Sequence, residues 1–404
     1  MRICSTWGAS PNRAIACIQE SWRKHSSSLF MAHHVCGPGH ILRCRVMNAS
    51  APLKIVALNG CWENAHPDVV YVPEGFGGFP YWMVFTPYPL GNDRFENPTL
   101  RASHDGMRWQ RIPKIPEPLV PTPNRPDMHN ADPEIVFHQG RLYVIYLTIQ
   151  RPSDAVNFNV MSCNGDLRWS KPRVVYQDVG AVSPTFSVEN GVWHVWFIRI
   201  NSLKGSGECS LVHREGSNMS KLENERQCSL TIPRHVPWHV DIQKVEGGYE
   251  ALVAAFPVEA ETSRTRLFHL SSRDGLTFSL SSQKPLIAPS FSGWDNRMIY
   301  RSSFLKDSDG TYRIWYTAAS WGFHLGIGLL QGSLHSLGEP DAPLAPMPSC
   351  ISRLREDFVA RLKYEANRHF PHSLISLAGK RHRINPRILQ VSSRMPYQNS
   401  MKSD

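Results

Sequence analysis

Several absences narrow the reading of this 404-residue chain. No apolar run approaches the length that crosses a bilayer, so no membrane-spanning helix is expected. Nine cysteines, an odd number, contain no C-x-x-C pair, and four of them (Cys4, Cys17, Cys36, Cys44) precede the patterned region. That usage suits a chain kept reduced, not a disulfide framework. The spacing of His33, His34, Cys36, His40 and Cys44 fits no standard zinc pattern. Acids are almost missing from the first fifty residues, and so is the continuous apolar stretch of a secretory signal. The expectation is a cytoplasmic protein whose true start is Met31 or Met47, the residues before it an ordinary disordered extension.

Charge is also missing from where a nucleic-acid binder needs it. The net +10 sits in the flanks, +6 over residues 1–60 and +7 over 351–404, which leaves the body slightly acidic. Basic tails on such a body do not make a phosphate-tracking groove. No nucleic-acid partner, no membrane and a monomeric state are expected.

What is abundant is aromatic and turn-forming: 12 Trp, 12 Tyr, 17 Phe, 31 Pro and 27 Gly. Short strands follow from this composition. Strand openings recur near Asp68, Asp132, Thr185, Asp241 and Arg301, at spacings of 64, 53, 56 and 60 residues. Each is followed by a branched or aromatic run: "YWMVFTPY", "LYVIYLT", "VWHVWFIR", "YEALVAAF" and "YRIWYTAA". Turns such as "VENG", "VEGG" and "DSDGT" join the first two strands in three units. A second turn recurs in "SHDGMRW", "SCNGDLRW" and "SSRDGLTF", where glycine supplies positive φ and the aromatic is placed to pack between sheets.

Five such units of about four strands predict an all-β, five-bladed β-propeller over residues 54–335. The strand "LKIVALNG" at 53–60 is expected to close the ring against the last blade. Residues 1–53 form the basic extension. Residues 336–404 read as a Pro-rich linker, an amphipathic helix with Leu354, Phe358 and Leu362 on one face, and a basic tail.

In a propeller the first strand of each blade lines the central channel. Asp68, Asp132 and Asp241 are read as equivalent openings there, with Arg301 in blade five and only "SPT" in blade three. His66 and His239 precede their acids by two residues, as Asn130 precedes Asp132, so each pair shares one side of its strand. Glu134 shares the side of Asp132 but lies deeper, outside the expected site.

This layout resembles the five-bladed glycoside hydrolases: arabinanases, β-xylosidases, levansucrases and invertases, with the mannoside phosphorylases as relatives. The resemblance implies a glycosidase acting on an oligo- or polysaccharide. In it Asp68 matches the base or nucleophile, and Asp132 the acid that orients the sugar. The Glu that opens blade three in that family is replaced here by Ser183-Pro184-Thr185. Glycoside cleavage needs a proton donor, and Glu96, in "RFENPTL", and Asp241 stand equal for that role. His66, Asn130, His239, Arg301 and Trp238 are expected to bind or orient substrate, and Trp62 and Trp294 could stack on sugar rings. No metal or cofactor is required, although calcium in the channel is compatible with the resemblance. The alternatives are a carbohydrate-binding propeller without turnover, or a phosphorylase with Arg301, Arg297 and His239 around phosphate.

Overall fold

The computed structural model describes residues 49–337, apart from 50, 58–59, 61, 202–207, 259–263, 291–292 and 322–323. The basic N-terminal extension, its His/Cys cluster, the amphipathic helix and the basic tail lie outside the described residues.

Five antiparallel sheets follow one another along the chain, and their innermost strands meet around one axis. Blade one holds β1 (Asn64–Phe76), β2 (Phe79–Pro87) and β3 (Thr99–Ser103). Blade two holds β4 (Met128–His138), β5 (Arg141–Gln150), β6 (Ala155–Cys163) and β7 (Arg173–Val179). Blade three holds β8 (Ala181–Glu189), β9 (Val192–Asn201), β10 (Glu208–Gly216) and β11 (Glu223–Gln227). Blade four holds β13 (His235–Val245), β14 (Gly248–Pro257), β15 (Arg266–Ser272) and β16 (Thr277–Leu280), with the two-residue β12 (Ser229–Leu230) parallel to β16. Blade five holds β17 (Met298–Lys306), β18 (Tyr312–Ala319) and β19 (Leu325–Gly332). The expected five-bladed propeller is what the chain forms, although its blades carry three to five strands and not a uniform four.

Each seam between blades has its own apolar cluster, because both faces of a blade are covered. Trp82 and Leu142 meet between blades one and two, and Phe158 and Phe197 between two and three. Trp196 and Phe268 fill the next seam, Leu252 and Phe304 the one after, and Met83 and Trp315 the last. Fully burying one such side chain is worth roughly 1.5–3 kcal/mol.

The recurring Asp-Gly turn locks adjacent blades. Trp315 Nε1 donates to the Gly106 carbonyl at 2.9 Å, and Trp196 Nε1 to that of Gly275 at 2.7 Å. Both glycines have positive φ, and a Cβ there would sit 3.1 Å from the indole. Ring closure is lighter than expected. Residues 53–57 form no strand; Leu53 N–H donates to Ile327 O at 2.7 Å, and Ile55 packs between the last blade and the first.

The innermost strands are bulged where they reach the channel, and the bulges correct the expected register. Pairing shifts between Ala65 and Asp68, Ala131 and Glu134, and Val182 and Thr185. The inserted pairs are His66-Pro67, Asp132-Pro133 and Ser183-Pro184, with φ of 53°, 45° and 50° at the first residue. Proline suits the second place because it brings no N–H that the broken ladder would leave unpaired. Asp68 is therefore equivalent to Glu134 and Thr185, and His66 to Asp132 and Ser183. Asp132 and Arg301 do not stand in register with Asp68, Thr185 and Asp241, as the sequence reading had them, but one tier nearer the mouth.

Candidate active site

Two tiers of side chains line the channel. In the inner tier, Asp68, Glu134, Thr185, Asp241 and Ser303 each accept the backbone N–H of the next blade. Asp68 Oδ2 takes Ile135 N–H at 2.6 Å, Glu134 Oε1 takes Phe186 at 3.1 Å, and Thr185 Oγ1 takes Ile242 at 3.3 Å. Asp241 Oδ2 takes Phe304 at 2.9 Å, and Ser303 Oγ takes Val69 at 3.1 Å, which closes the circle. The remaining oxygens are also engaged. Ser303 donates to Asp68 Oδ1, Thr185 to Asp241 Oδ1, and Arg301 Nη2 to Glu134 Oε2 at 2.9 Å.

These three carboxyl groups each bring an oxygen within 4.8 Å of the others. Burial pushes all three pKa values upward, Asp241 to about 7. Arg301, itself buried, keeps its charge through the surrounding acids and supplies the local positive charge. Every carboxylate oxygen of the set already holds one protein donor.

The outer tier differs. Asp132 Oδ1 lies 3.5 Å from His66 Nε2, 3.9 Å from His239 Nδ1 and 3.4 Å from Arg301 Nη1. Its Oδ2 accepts Ser183 N–H at 2.8 Å. Burial alone would raise the Asp132 pKa, but the facing imidazoles, Arg301 and the Ser183 N–H bring it down to about 2. Burial lowers His66 to about 4 and His239 to about 3, so both rings are neutral at neutral pH. His66 Nδ1 meets Thr86 Oγ1 at 2.9 Å, whereas His66 Nε2 and both nitrogens of His239 are buried without a hydrogen-bond partner. Two neutral imidazoles with open nitrogens beside an ionised carboxylate are the donor types of a divalent-metal site.

Glu96 closes one side of this tier. It follows the 3₁₀ turn Asp93–Phe95 and lies 3.4 Å from His66 Nδ1. Burial, with Asp93 and Asp132 nearby, raises its pKa far above the usual carboxylate range. The shift favours its protonated form. Asn130 sits beside this loop: its side chain bonds Asn97 Oδ1 at 2.9 Å, Pro121 O and Thr148 Oγ1, so it fixes the segment that carries Glu96.

Trp238 stacks on His239, with centroids 5.1 Å apart, and meets Tyr300 edge-on. Trp62 is exposed, and Trp294 is held against Tyr316 with its Nε1 on Ala49 O. Arg297 donates to Trp321 O and lies across the Trp321 ring. Of the sequence-derived set, His66, Glu96, Asp132, His239, Arg301 and Trp238 come together in the outer tier. Asp68 and Asp241 lie in the inner one, and Asn130 behind the Glu96 loop.

Two residues escaped the sequence reading. Tyr300 packs against both imidazoles, with centroids 5.1 Å from His66 and 4.4 Å from His239, and Tyr88 hydrogen-bonds Asp93 at 2.8 Å beside them. The signal for Tyr300 was its place directly before Arg301, in a bulge like the other three.

The five-bladed propeller fold is shared with solved carbohydrate-active enzymes. A thermostable family-43 glycoside hydrolase superposes with a TM-score of 0.50 at 12% identity, over 70% of this chain and 92% of that one. The xylan β-1,4-xylosidase of Bacillus halodurans C-125 gives 0.54 at 14% identity, over 70% of this chain and 54% of the other. An N-acetylgalactosamine deacetylase from Flavonifractor plautii, solved with blood group B trisaccharide, gives 0.65 at 19% identity, over 72% of this chain and 97% of that one.

By sequence, the chain is 26% identical over 312 residues to the A type blood N-acetyl-α-D-galactosamine deacetylase of Flavonifractor plautii. The match covers 63% of this chain and 40% of that protein's length. No protein-family model matches the chain.

Proposed function

We propose that the protein is a carbohydrate-active hydrolase that removes an acyl group from an N-acylated sugar, cleaving an amide and not a glycosidic bond. One observation carries this reading: the channel mouth is built around His66, His239 and ionised Asp132, while the blade-three position of the glycosidase donor holds Ser183-Pro184-Thr185. The likeness to deacetylases in sequence and in fold supports it.

Amide hydrolysis needs three things from a site: an activated water, stabilisation of the developing oxyanion, and a proton for the leaving nitrogen. Glu96, whose burial beside His66 favours the protonated form, is the donor for the leaving amine. Asp132 faces the two imidazoles, and Arg301 and the Ser183 N–H keep it ionised. Tyr300, whose phenol burial keeps protonated, adds a hydrogen-bond donor beside both rings, and Trp238 offers the wall on which a sugar face stacks. His66, Asp132 and His239 would hold a divalent cation, and such a cation supplies Lewis-acid polarisation of the carbonyl. The acyl sugar and the cation are both part of the proposal.

A glycosidase working through Asp68 is the second reading, favoured by the propeller hydrolases that share the fold. It asks Asp68 to attack or activate water while both of its oxygens hold inner-tier donors. A phosphorylase is disfavoured because Asp132, Glu134 and Pro184 O already occupy the Arg301 guanidinium.

The deciding experiment incubates the full chain with N-acetylated oligosaccharides, with and without added divalent metal, and measures acetate and reducing ends separately. Acetate without new reducing ends is expected. New reducing ends without acetate would transfer the assignment to the glycosidase, and tight sugar binding with neither product would leave a binding propeller.

A further inference from the structure

A second group of donors lies away from the channel, on the face of blade three that packs against blade four. His194 on β9 stands directly opposite Glu215 on β10, and Trp196 opposite His213. Residues two apart on a strand share a face, so all four side chains form one cross-strand patch. His194 Nδ1 lies 3.1 Å from His213 Nε2 and 3.6 Å from Glu215 Oε2. One donor atom from each of the three residues lies within 4.8 Å of the other two.

The protons do not balance in this patch. With both rings neutral, the proton between the two histidines sits either on His213 Nε2 or on His194 Nδ1. In the first case the His194 lone pair faces the Glu215 carboxylate. In the second, the single His194 N–H lies between two acceptors, the His213 nitrogen and the Glu215 carboxylate. One cation shared by the three atoms relieves every contact at once.

We infer that His194, His213 and Glu215 bind a zinc ion that pins β9 to β10 at the seam of blades three and four. Zinc takes imidazole and carboxylate donors at about 2.0–2.2 Å, which puts neighbouring ligand atoms of a tetrahedral site about 3.3 Å apart. The observed 3.1 and 3.6 Å bracket that spacing.

The surroundings hold the donors in place. Arg226 Nη2 grips Glu215 Oε1 at 2.7 Å and so turns Oε2 toward the rings. Trp196 lies against both imidazoles, with centroids 5.8 and 4.8 Å away. Lys244 is tied to Glu189 at 3.1 Å and does not compete for Glu215. His194 and Glu215 are partly exposed, which leaves the fourth position to water.

The test uses the full chain, stripped with chelator and reloaded with zinc alone. Metal content, the visible spectrum after Co²⁺ substitution and the thermal midpoint are read for the parent and for His194→Gln, His213→Gln and Glu215→Gln. The parent is expected to bind about one equivalent more than each of these variants, to show the intense bands of four-coordinate Co²⁺, and to gain a few degrees on zinc addition. His213 is deeply buried, so the partly exposed His194 and Glu215 variants carry the result if His213→Gln fails to fold. His66→Gln should retain this equivalent whether or not the channel binds metal, which separates the two sites. A parent that takes up no zinc, or a folded His194→Gln or Glu215→Gln with the parent's zinc content and zinc response, overturns the inference.

Discussion

The two tiers of the channel sit two residues apart on the same strands, yet they are built for opposite ends. In the inner tier every carboxylate oxygen of Asp68, Glu134 and Asp241 holds a donor, and the five side chains clasp each blade to the next. In the outer tier His66 and His239 leave nitrogens open although both are buried. A buried polar group without a partner costs about 1–3 kcal/mol, so a fold tolerates several together only where something else uses them. Satisfied acids mark the structural ring, and unsatisfied imidazoles mark the site. An acid at the head of a hairpin is thus two different objects, depending on which side of the bulge it falls.

The sharpest way to break this comparison is to exchange the roles of Asp132 and Asp68. Asp132→Asn keeps an oxygen for the Ser183 N–H but removes the charge that faces both imidazoles. Turnover in acetate release is expected to fall about a thousandfold, within the range for a positioned acid-base group, while the thermal midpoint barely moves. An Asp132→Asn enzyme within tenfold of the parent would place the chemistry elsewhere.

Glu96→Gln comes next, with a loss of about a hundredfold. That loss should shrink on substrates whose leaving amine is an aniline, which needs less protonation. An equal loss on both substrate types would make Glu96 a positioning residue and not the donor.

Asp68→Asn is expected to invert the pattern. Its carboxylate accepts from both Ile135 N–H and Ser303 Oγ, and an amide can accept only one of these. Stability should drop by about 1–3 kcal/mol, read by denaturant unfolding, with turnover of the folded fraction within about tenfold of the parent. A collapse of turnover at unchanged stability would restore Asp68 to the role that the glycosidase resemblance gives it.

The fold was legible because its signals are local. Alternation, hairpin turns and the Asp-Gly motif before Trp109 and Phe278 each sit within a few residues; the alternating strand recurs in all five units and the turns in several of them. The register of the tiers was legible too, but in a different residue. Aligned on proline, "HPD", "DPE" and "SPT" place Asp68 with Glu134 and Thr185; aligned on the acid, they place Asp68 with Asp132. The bulge needs the proline, so proline was the better ruler.

The clasp itself could not be read from sequence. It joins a side chain of one blade to a backbone N–H of the next, some sixty residues away, and a backbone N–H leaves no mark in composition. Tyr88 was missed for a related reason: in a chain this rich in aromatics, nothing in the sequence separates a ring that packs a seam from one that packs an imidazole, and only its place beside Arg301 set Tyr300 apart.

The smallest expected effect is also the one that compares the tiers under a single variable, pH. In the folded protein Asp241 keeps its proton up to about pH 7 because it is buried, whereas its ordinary pKa is 3.8. Between those values the folded chain binds more protons than the unfolded one, so this group's contribution is full below the window and is lost as pH rises through it. His239 runs the other way. Burial lowers it from 6.5 to about 3, so in between the unfolded chain binds more protons. Its contribution is full above the window and is lost as pH falls. Thermal midpoints of the parent, Asp241→Asn and His239→Gln, measured from about pH 4 to 7, should therefore diverge in opposite senses. Relative to the parent, Asp241→Asn should gain with rising pH, because it no longer suffers the parent's loss. His239→Gln should fall further behind with rising pH, because it lacks the parent's gain. Parallel curves for all three proteins would mean that neither tier titrates as its burial demands, and the division between a closed ring and an open site would lose its electrostatic footing.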